Sequence, residues 1–318
     1  MKLVMIRRDT AARAGAMLGS EEVLDFRGAA GALPFAAWLP GDVIAIIAGG
    51  DEGLGLARRV VETVVNDAGL RARLRADGAI TGLSATALAA PLLRPGIVVC
   101  AGQTFAEHHR EMAKRRGIEN PELPSTPRGF LKNINAIVGT GEAIVLPDEF
   151  PDKVDFEGEL AMVIGRPCHR VSAAEAMTAI AGFTILNDVS ARDWAGGKGS
   201  RDQTLLGKQF PTFCPMGPAF VTADEFPDPA AMHIETRLNG ELMQSSGMDD
   251  LIFPMADIVA HYARYYRLMP GDIITTGTPS GAGHGRKPPV YMRPGDVIEV
   301  SVPGIGTLSN RVSAANRA

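Results

Sequence analysis

Hydrophobic and polar positions alternate most informatively over Val154-Asp155-Phe156-Glu157-Gly158-Glu159-Leu160-Ala161-Met162-Val163-Ile164-Gly165. Side chains of a strand point alternately to its two faces, so Glu157, Glu159, Ala161 and Val163 share one face. Phe156, Gly158, Leu160, Met162 and Ile164 share the other. Both faces turn apolar beyond the glutamates, the pattern of a strand covered on both sides. Two anions leading into such surroundings repel each other and lose hydration unless a cation sits between them.

The same reading divides the rest of the chain. Met1 to Arg8 reads as a short first strand. Leu54 to Leu74 reads as a helix, with Leu56, Val60, Val61, Val64 and Val65 near helical spacing and Arg58, Arg59 and Glu62 between them. Thr86 to Pro95 reads as a linker closed by the turn signal Arg94-Pro95-Gly96. Ile97 to Ala101 follows as a buried β-branched strand. A domain boundary is therefore expected near residue 90, giving a small N-terminal α+β unit (1–90) and a catalytic unit (91–318). Beyond it, helices are expected around Ala106–Arg116, Ala173–Ala181 and Met255–Tyr265, among many strands. Pro-Gly-Asp occurs at 40–42, 270–272 and 294–296, each time before β-branched residues. Proline fixes φ and glycine accepts φ > 0, so all three are expected to be type II turns that launch strands. Strands and helices do not alternate in a βαβ rhythm, so the fold class is α+β, with a β-rich catalytic domain.

Composition narrows the class of protein. With 318 residues, 46% hydrophobic and 21% charged, the chain has ordinary globular content. A net charge of −4 gives no basic footprint for nucleic acid or an anionic membrane surface. No apolar run reaches transmembrane length, and the N-terminal apolar stretch is too short for a signal peptide. Three cysteines without CxxC spacing fit reduced thiols, so a cytoplasmic enzyme is expected.

Four segments could carry chemistry. Asp188, at the end of the apolar run Gly182 to Asn187, joins Glu157 and Glu159 in an all-oxygen anionic set. Such hard ligands select Mg²⁺, Mn²⁺ or Ca²⁺ over zinc. Asp188 could equally form an Asx turn. Along Gly102-Gln103-Thr104-Phe105-Ala106-Glu107-His108-His109-Arg110-Glu111-Met112, helical spacing lets His108 touch Glu111. A carboxylate that orients an imidazole makes a general base, and His109 lacks such a partner. Lys208, among apolar residues after the glycines from Gly196, could stabilise an oxyanion or snorkel from a strand edge. The glycine-rich run Thr275 to Gly285 could offer N–H groups to an anion or simply connect. It is neither a dinucleotide fingerprint nor a phosphate-binding loop, and no Gly-x-Ser-x-Gly occurs.

In this order the segments resemble the fumarylacetoacetate hydrolase family, from about Pro95 to Val312. The motifs are Phe105-Ala106-Glu107-His108, Phe130-Leu131-Lys132, Phe156-Glu157-Gly158-Glu159-Leu160, Asn187-Asp188-Val189-Ser190-Ala191-Arg192-Asp193, Gly207-Lys208-Gln209-Phe210 and Gly271 to Pro279. The resemblance implies a β-rich catalytic domain built as a mixed-sheet roll, usually in a homodimer, binding Mg²⁺ or Mn²⁺ through Glu157, Glu159 and Asp188. It implies His108 with Glu111 as a water-activating dyad, Lys208 at substrate oxygen, and Thr278 near the substrate carboxylate, with Lys132 and Gln103 as further substrate contacts. Two departures point to the bacterial-type members that act on acylpyruvates. Ala195 stands where mammalian-type fumarylacetoacetases have Gln, and Gln103 and Thr104 stand where those have a further Asp ligand.

The expected activity is cleavage of the C3–C4 bond of a 2,4-dioxo acid such as fumarylpyruvate or maleylpyruvate. His108, held by Glu111, would take a proton from the attacking water. Decarboxylation or tautomerisation of a 2-oxo diacid such as oxaloacetate, or hydration of a 2-oxo-alkenoate, would use the same parts. Arg110, Lys114-Arg115-Arg116, Lys132 and the loop Trp194 to Thr204 are candidates for setting specificity.

Overall fold

The computed structural model describes residues 1–8, 11–195 and 203–315. Its centre is the strand Gly158–Ile164, buried at every position. Leu160, Met162 and Ile164 enter one core with Ala176, Ile258, Val259 and Ala263 of two covering helices. Ala161 and Val163 enter a second core with Leu3, Met5, Val43, Ile47, Val60 and Val64. The alternation expected from the sequence is therefore realised, one face per core.

The strand belongs to a twelve-stranded mixed sheet. Across the sheet lie Ile80–Gly82, Glu22–Asp25, Ala12–Leu18, Lys2–Arg7, Cys214–Thr222, Ile180–Asn187, Gly158–Ile164, Ile273–Thr275, Val98–Gly102 and Arg128–Lys132. Two short strands, Leu88–Ala89 and Ile137–Val138, pair to Lys2–Arg7 and Cys214–Thr222 off this path. A second sheet of five strands runs Glu241–Gly247, His233–Leu238, Val297–Val302, Gly306–Ser313 and Ile144–Val145. Between the sheets, Val154–Asp155 pairs with Ser190–Ala191 beside a third core of Phe156, Val189, Phe213 and Met292. An α+β, β-rich architecture is what the sequence implied. The sheet is continuous across residue 90, because Leu3 of the first strand pairs with Phe220.

Three expectations need correction. The long helix is two, Gly50–Asn66 and Ala68–Ala76, because Asp67 leaves helical geometry and its carboxylate accepts from Leu70 N at 2.9 Å as an N-cap. Ala57, Val60 and Val64 form the buried stripe, and Val65 lies exposed. Of the three Pro-Gly-Asp turns, Gly271 and Gly295 take positive φ before strands. Pro40-Gly41-Asp42 launches the helix Val43–Ala48 instead, since Asp42 caps Ala45 N at 2.8 Å. The capping carboxylate outweighs the β propensity of Val43 and Ile44. Within the expected linker, Leu88–Ala89 is a short strand paired to Met5 and Ile6.

Candidate metal centre and general base

Glu157 and Glu159 flank Gly158 where the central strand begins. Asn187 ends the neighbouring strand, opposite Gly158 in register, and Asp188 follows it. Two bonds join the ends: Asp188 N donates to the Glu157 carbonyl at 2.8 Å, and Glu157 N to Asn187 Oδ1 at 2.9 Å. Each of Glu157, Glu159 and Asp188 offers an oxygen, all within 4.8 Å of one another, and all three residues are buried.

Cations balance this charge unevenly. Lys132 Nζ lies 2.5 Å from Asp188 Oδ1 and 3.2 Å from the Val189 carbonyl. Lys208 Nζ lies 2.6 Å from Glu157 Oε2 and also donates to Asp188 Oδ2. Arg192 binds Asp155 Oδ2 through Nε at 2.9 Å and Nη2 at 2.6 Å, and Nη2 also donates to Glu157 Oε1. Burial alone would raise the Glu157 carboxyl, but Lys208 and Arg192 outweigh it and hold it well below the usual carboxylate range. Burial opposes charge on Lys208 too, yet Asp188 and Glu157 raise its pKa above that of an ordinary lysine. Glu159 goes the other way. Burial, then Asp188 and Glu157, push its carboxyl well up, and its Oε2 has no hydrogen-bond partner among the described residues.

These residues fit a divalent cation of the Mg²⁺ or Mn²⁺ class. The donors are all oxygen, as hard cations require, and a buried oxygen of Glu159 has no hydrogen-bond partner among the described residues. Asp155, Glu157, Glu159 and Asp188 face Lys132, Lys208 and Arg192, an excess of one negative charge when all are ionised.

The helix Ala106–Arg115 brings His108 and Glu111 together, Nδ1 to Oε2 at 3.2 Å. A carboxylate beside Nδ1 favours the tautomer that carries its proton there, which makes Nε2 the basic nitrogen. Glu111 is held from behind by Gly281 N, at 3.2 and 3.3 Å to its two oxygens. The anion met by the glycine-rich loop is therefore the protein's own. Gly285 packs so closely that a Cβ there would lie 2.6 Å from Glu111 Cδ. His108 is buried, and a proton gained by its ring would act on Glu157. His109 bonds the Glu122 carbonyl at 2.9 Å instead.

Other expected site residues fall in less expected places. Lys132 is fully buried against Asp188. Thr278 Oγ1 donates to the Gly158 carbonyl at 3.0 Å and accepts from Gln244 Nε2 at 2.8 Å. Gln103, at φ 57°, lines a small cavity with His109, Met112, Arg116 and Ile118, apart from the carboxylates. Arg110 pairs with Glu107 on the exposed face of the helix, and Arg115 donates to the His284 carbonyl. In the loop Trp194 to Thr204, residues 196–202 lie outside the described residues. Sequence reasoning gave no role to Arg192, Asp155, Asn187 or Gln244. The first three stood inside quoted motifs, whereas Gln244 carried no local signal. His284, pushed down to about 4 by burial, then Arg192 and Arg115, adds no charge near neutral pH.

This fold and carboxylate set place the chain in a family of metal-site enzymes: residues 97–313 match "Fumarylacetoacetate (FAA) hydrolase C-terminal", and the chain belongs to that family. Over 223 residues it is 45% identical to "Oxaloacetate tautomerase FAHD2B, mitochondrial" of Bos taurus, covering 70% of this chain and 68% of that one. Over 301 residues it is 34% identical to "Oxaloacetate tautomerase YisK" of Bacillus subtilis, covering 94% and 95%. A solved structure, "Fumarylacetoacetate hydrolase (EaFAH)" from psychrophilic Exiguobacterium antarcticum, superposes with TM-score 0.76 at 33% identity, covering 99% of this chain and 100% of that one.

Proposed function

We propose that the chain catalyses enol–keto tautomerisation of a 2-oxo dicarboxylate of the oxaloacetate class at a divalent-cation site formed by Glu157, Glu159 and Asp188. The observation that carries the reading is the Glu159 oxygen left without a hydrogen-bond partner among the described residues, in a carboxylate trio near the His108–Glu111 pair. The names of the bovine and Bacillus relatives support the choice of substrate class.

A bound divalent cation would supply Lewis-acid stabilisation of negative charge on the 2-oxo oxygen. The protein's own groups handle the proton. His108 Nε2 takes the hydroxyl proton of the enol, while Glu111 stabilises the imidazolium through Nδ1. The same proton is returned to C3, so the C2=C3 bond becomes single and C2–O becomes a carbonyl. Lys208, kept charged by Asp188 and Glu157, stabilises the oxygen anion in between. Thr278 and the nearby loop bound the substrate carboxylate, and Gln103, in its separate cavity, takes no part. Lys132 acts on substrate only through Asp188.

Hydrolysis of an acylpyruvate is the second reading, favoured by the same dyad, which could activate water. One experiment separates the two: following enol absorbance of oxaloacetate and of acylpyruvates with Mn²⁺, with pyruvate quantified. Faster ketonisation of oxaloacetate without pyruvate supports the tautomerase. Pyruvate and a second acid from an acylpyruvate support the hydrolase, and pyruvate with CO₂ from oxaloacetate supports a decarboxylase. In the active case His108→Ala lowers turnover by roughly 10²–10⁴-fold and keeps Mn²⁺ affinity. Unchanged turnover in that variant would remove the proton-transfer role.

A further inference from the structure

Gly158 sits between the two glutamates, and both of its backbone polar groups are held from outside its sheet. Gln244, on the strand Glu241–Gly247 of the second sheet, is 1% exposed. Its Oε1 accepts from Gly158 N at 3.1 Å. Its Nε2 donates to Thr278 Oγ1 at 2.8 Å and to the Pro279 carbonyl at 2.9 Å. Thr278 Oγ1 in turn donates to the Gly158 carbonyl at 3.0 Å. The three residues close a ring around the peptide that spaces Glu157 from Glu159. The position admits only glycine, since a Cβ on residue 158 would meet Thr236 Oγ1 at 2.3 Å.

The ring has a second consequence. Thr278 and Pro279 lead through Ser280 to Gly281, whose N–H holds Glu111. One buried amide therefore touches the backbone of the carboxylate trio and the loop that anchors the His108–Glu111 pair. A leucine of similar size could fill the volume. It could not accept from Gly158 or donate to the loop, so packing alone does not call for glutamine here.

We propose that Gln244 is a positioning residue, setting the spacing of Glu157 and Glu159 and fixing the Thr278–Gly281 loop relative to them. This rests on the reading of the trio as a divalent-cation site. Supporting groups behind metal ligands typically govern 10–100-fold of affinity.

The test is Mn²⁺ titration calorimetry on the full chain, beside thermal unfolding in chelator. Gln244→Leu is expected to weaken Mn²⁺ binding by about 10–100-fold. Leu74→Ala, in the N-terminal helix Ala68–Ala76, serves as a control that loses stability but keeps Mn²⁺ affinity. Thr278→Val is expected to weaken binding in the same direction, and Thr278→Ser to restore it by returning the hydroxyl. Should Gln244→Leu fail to fold, the Thr278 pair carries the test alone. Wild-type affinity in folded Gln244→Leu, or in Thr278→Val where the leucine variant does not fold, overturns the positioning role and leaves the cation site standing. Absence of Mn²⁺ binding by the wild-type chain overturns both.

Discussion

Glu159 is the site residue whose surroundings are least balanced. Glu157 and Asp188 have lysine partners, whereas one oxygen of Glu159 has none among the described residues. Removing its charge should therefore separate binding from folding. Glu159→Gln is expected to lose at least 10-fold in Mn²⁺ affinity by calorimetry while unfolding in chelator no earlier than the wild type. A steep fall in the chelated midpoint would show that the carboxylate serves the fold instead. At this scale the sequence was informative about identity and poor about partners. Two-residue spacing put Glu157 and Glu159 on one face, and three-residue helical spacing put His108 beside Glu111. Asp188 stood open between a ligand and a turn former, and nothing near it in sequence pointed to Lys132 and Lys208, which its carboxylate meets. Those partners lie 56 and 20 residues away, beyond the reach of any local pattern.

Between elements, side chains do the joining, and two joints can be tested. Glu22 on the strand Glu22–Asp25 is pulled down to about 2 by hydrogen bonds from Arg75 and then Arg71, on the helix Ala68–Ala76. A depressed carboxyl stabilises the fold above its unfolded value, near 4.3, and loses that effect as pH falls toward 2. Glu22→Gln should therefore unfold about 1–2 °C below the wild type at pH 7, with the gap closing below pH 4 and shrinking in high salt. The other joint is Gly285 against Glu111. An alanine there displaces the flexible end of Glu111 more readily than backbone. Gly285→Ala is expected to lower turnover roughly 10-fold, with a midpoint within about 1 °C of wild type. The helix carrying Glu111 was foreseen to within a residue of its ends, because its charges and apolar positions follow one period. The loop behind it gave no sign that its N–H groups face that helix, since glycines record permitted approach and not the identity of the neighbour.

Over the whole molecule, the N-terminal segment and the remainder share one sheet and one core. Leu3, Met5, Val43 and Val60 pack with Val163, Leu186 and Phe220 of the central strands. Deleting residues 1–90 would bare this face and leave Cys214–Thr222 without the pairing it makes to Lys2–Arg7. The truncated chain is expected to be insoluble or to bind a hydrophobic dye strongly; a soluble, cooperatively unfolding product would show two independent units. The turn signal at Arg94-Pro95-Gly96 lies just before residue 97, where the family match begins. Strand pairing between residues more than two hundred positions apart leaves no trace in a local window. The central strand is held on both sides, by seven register pairs with Ile180–Asn187 and three with Ile273–Thr275. Its amide protons should therefore be among the last to exchange with deuterated solvent, released only by global opening. Glu159, the member of the carboxylate trio that lies on this strand, therefore sits on the segment that local fluctuation reaches least.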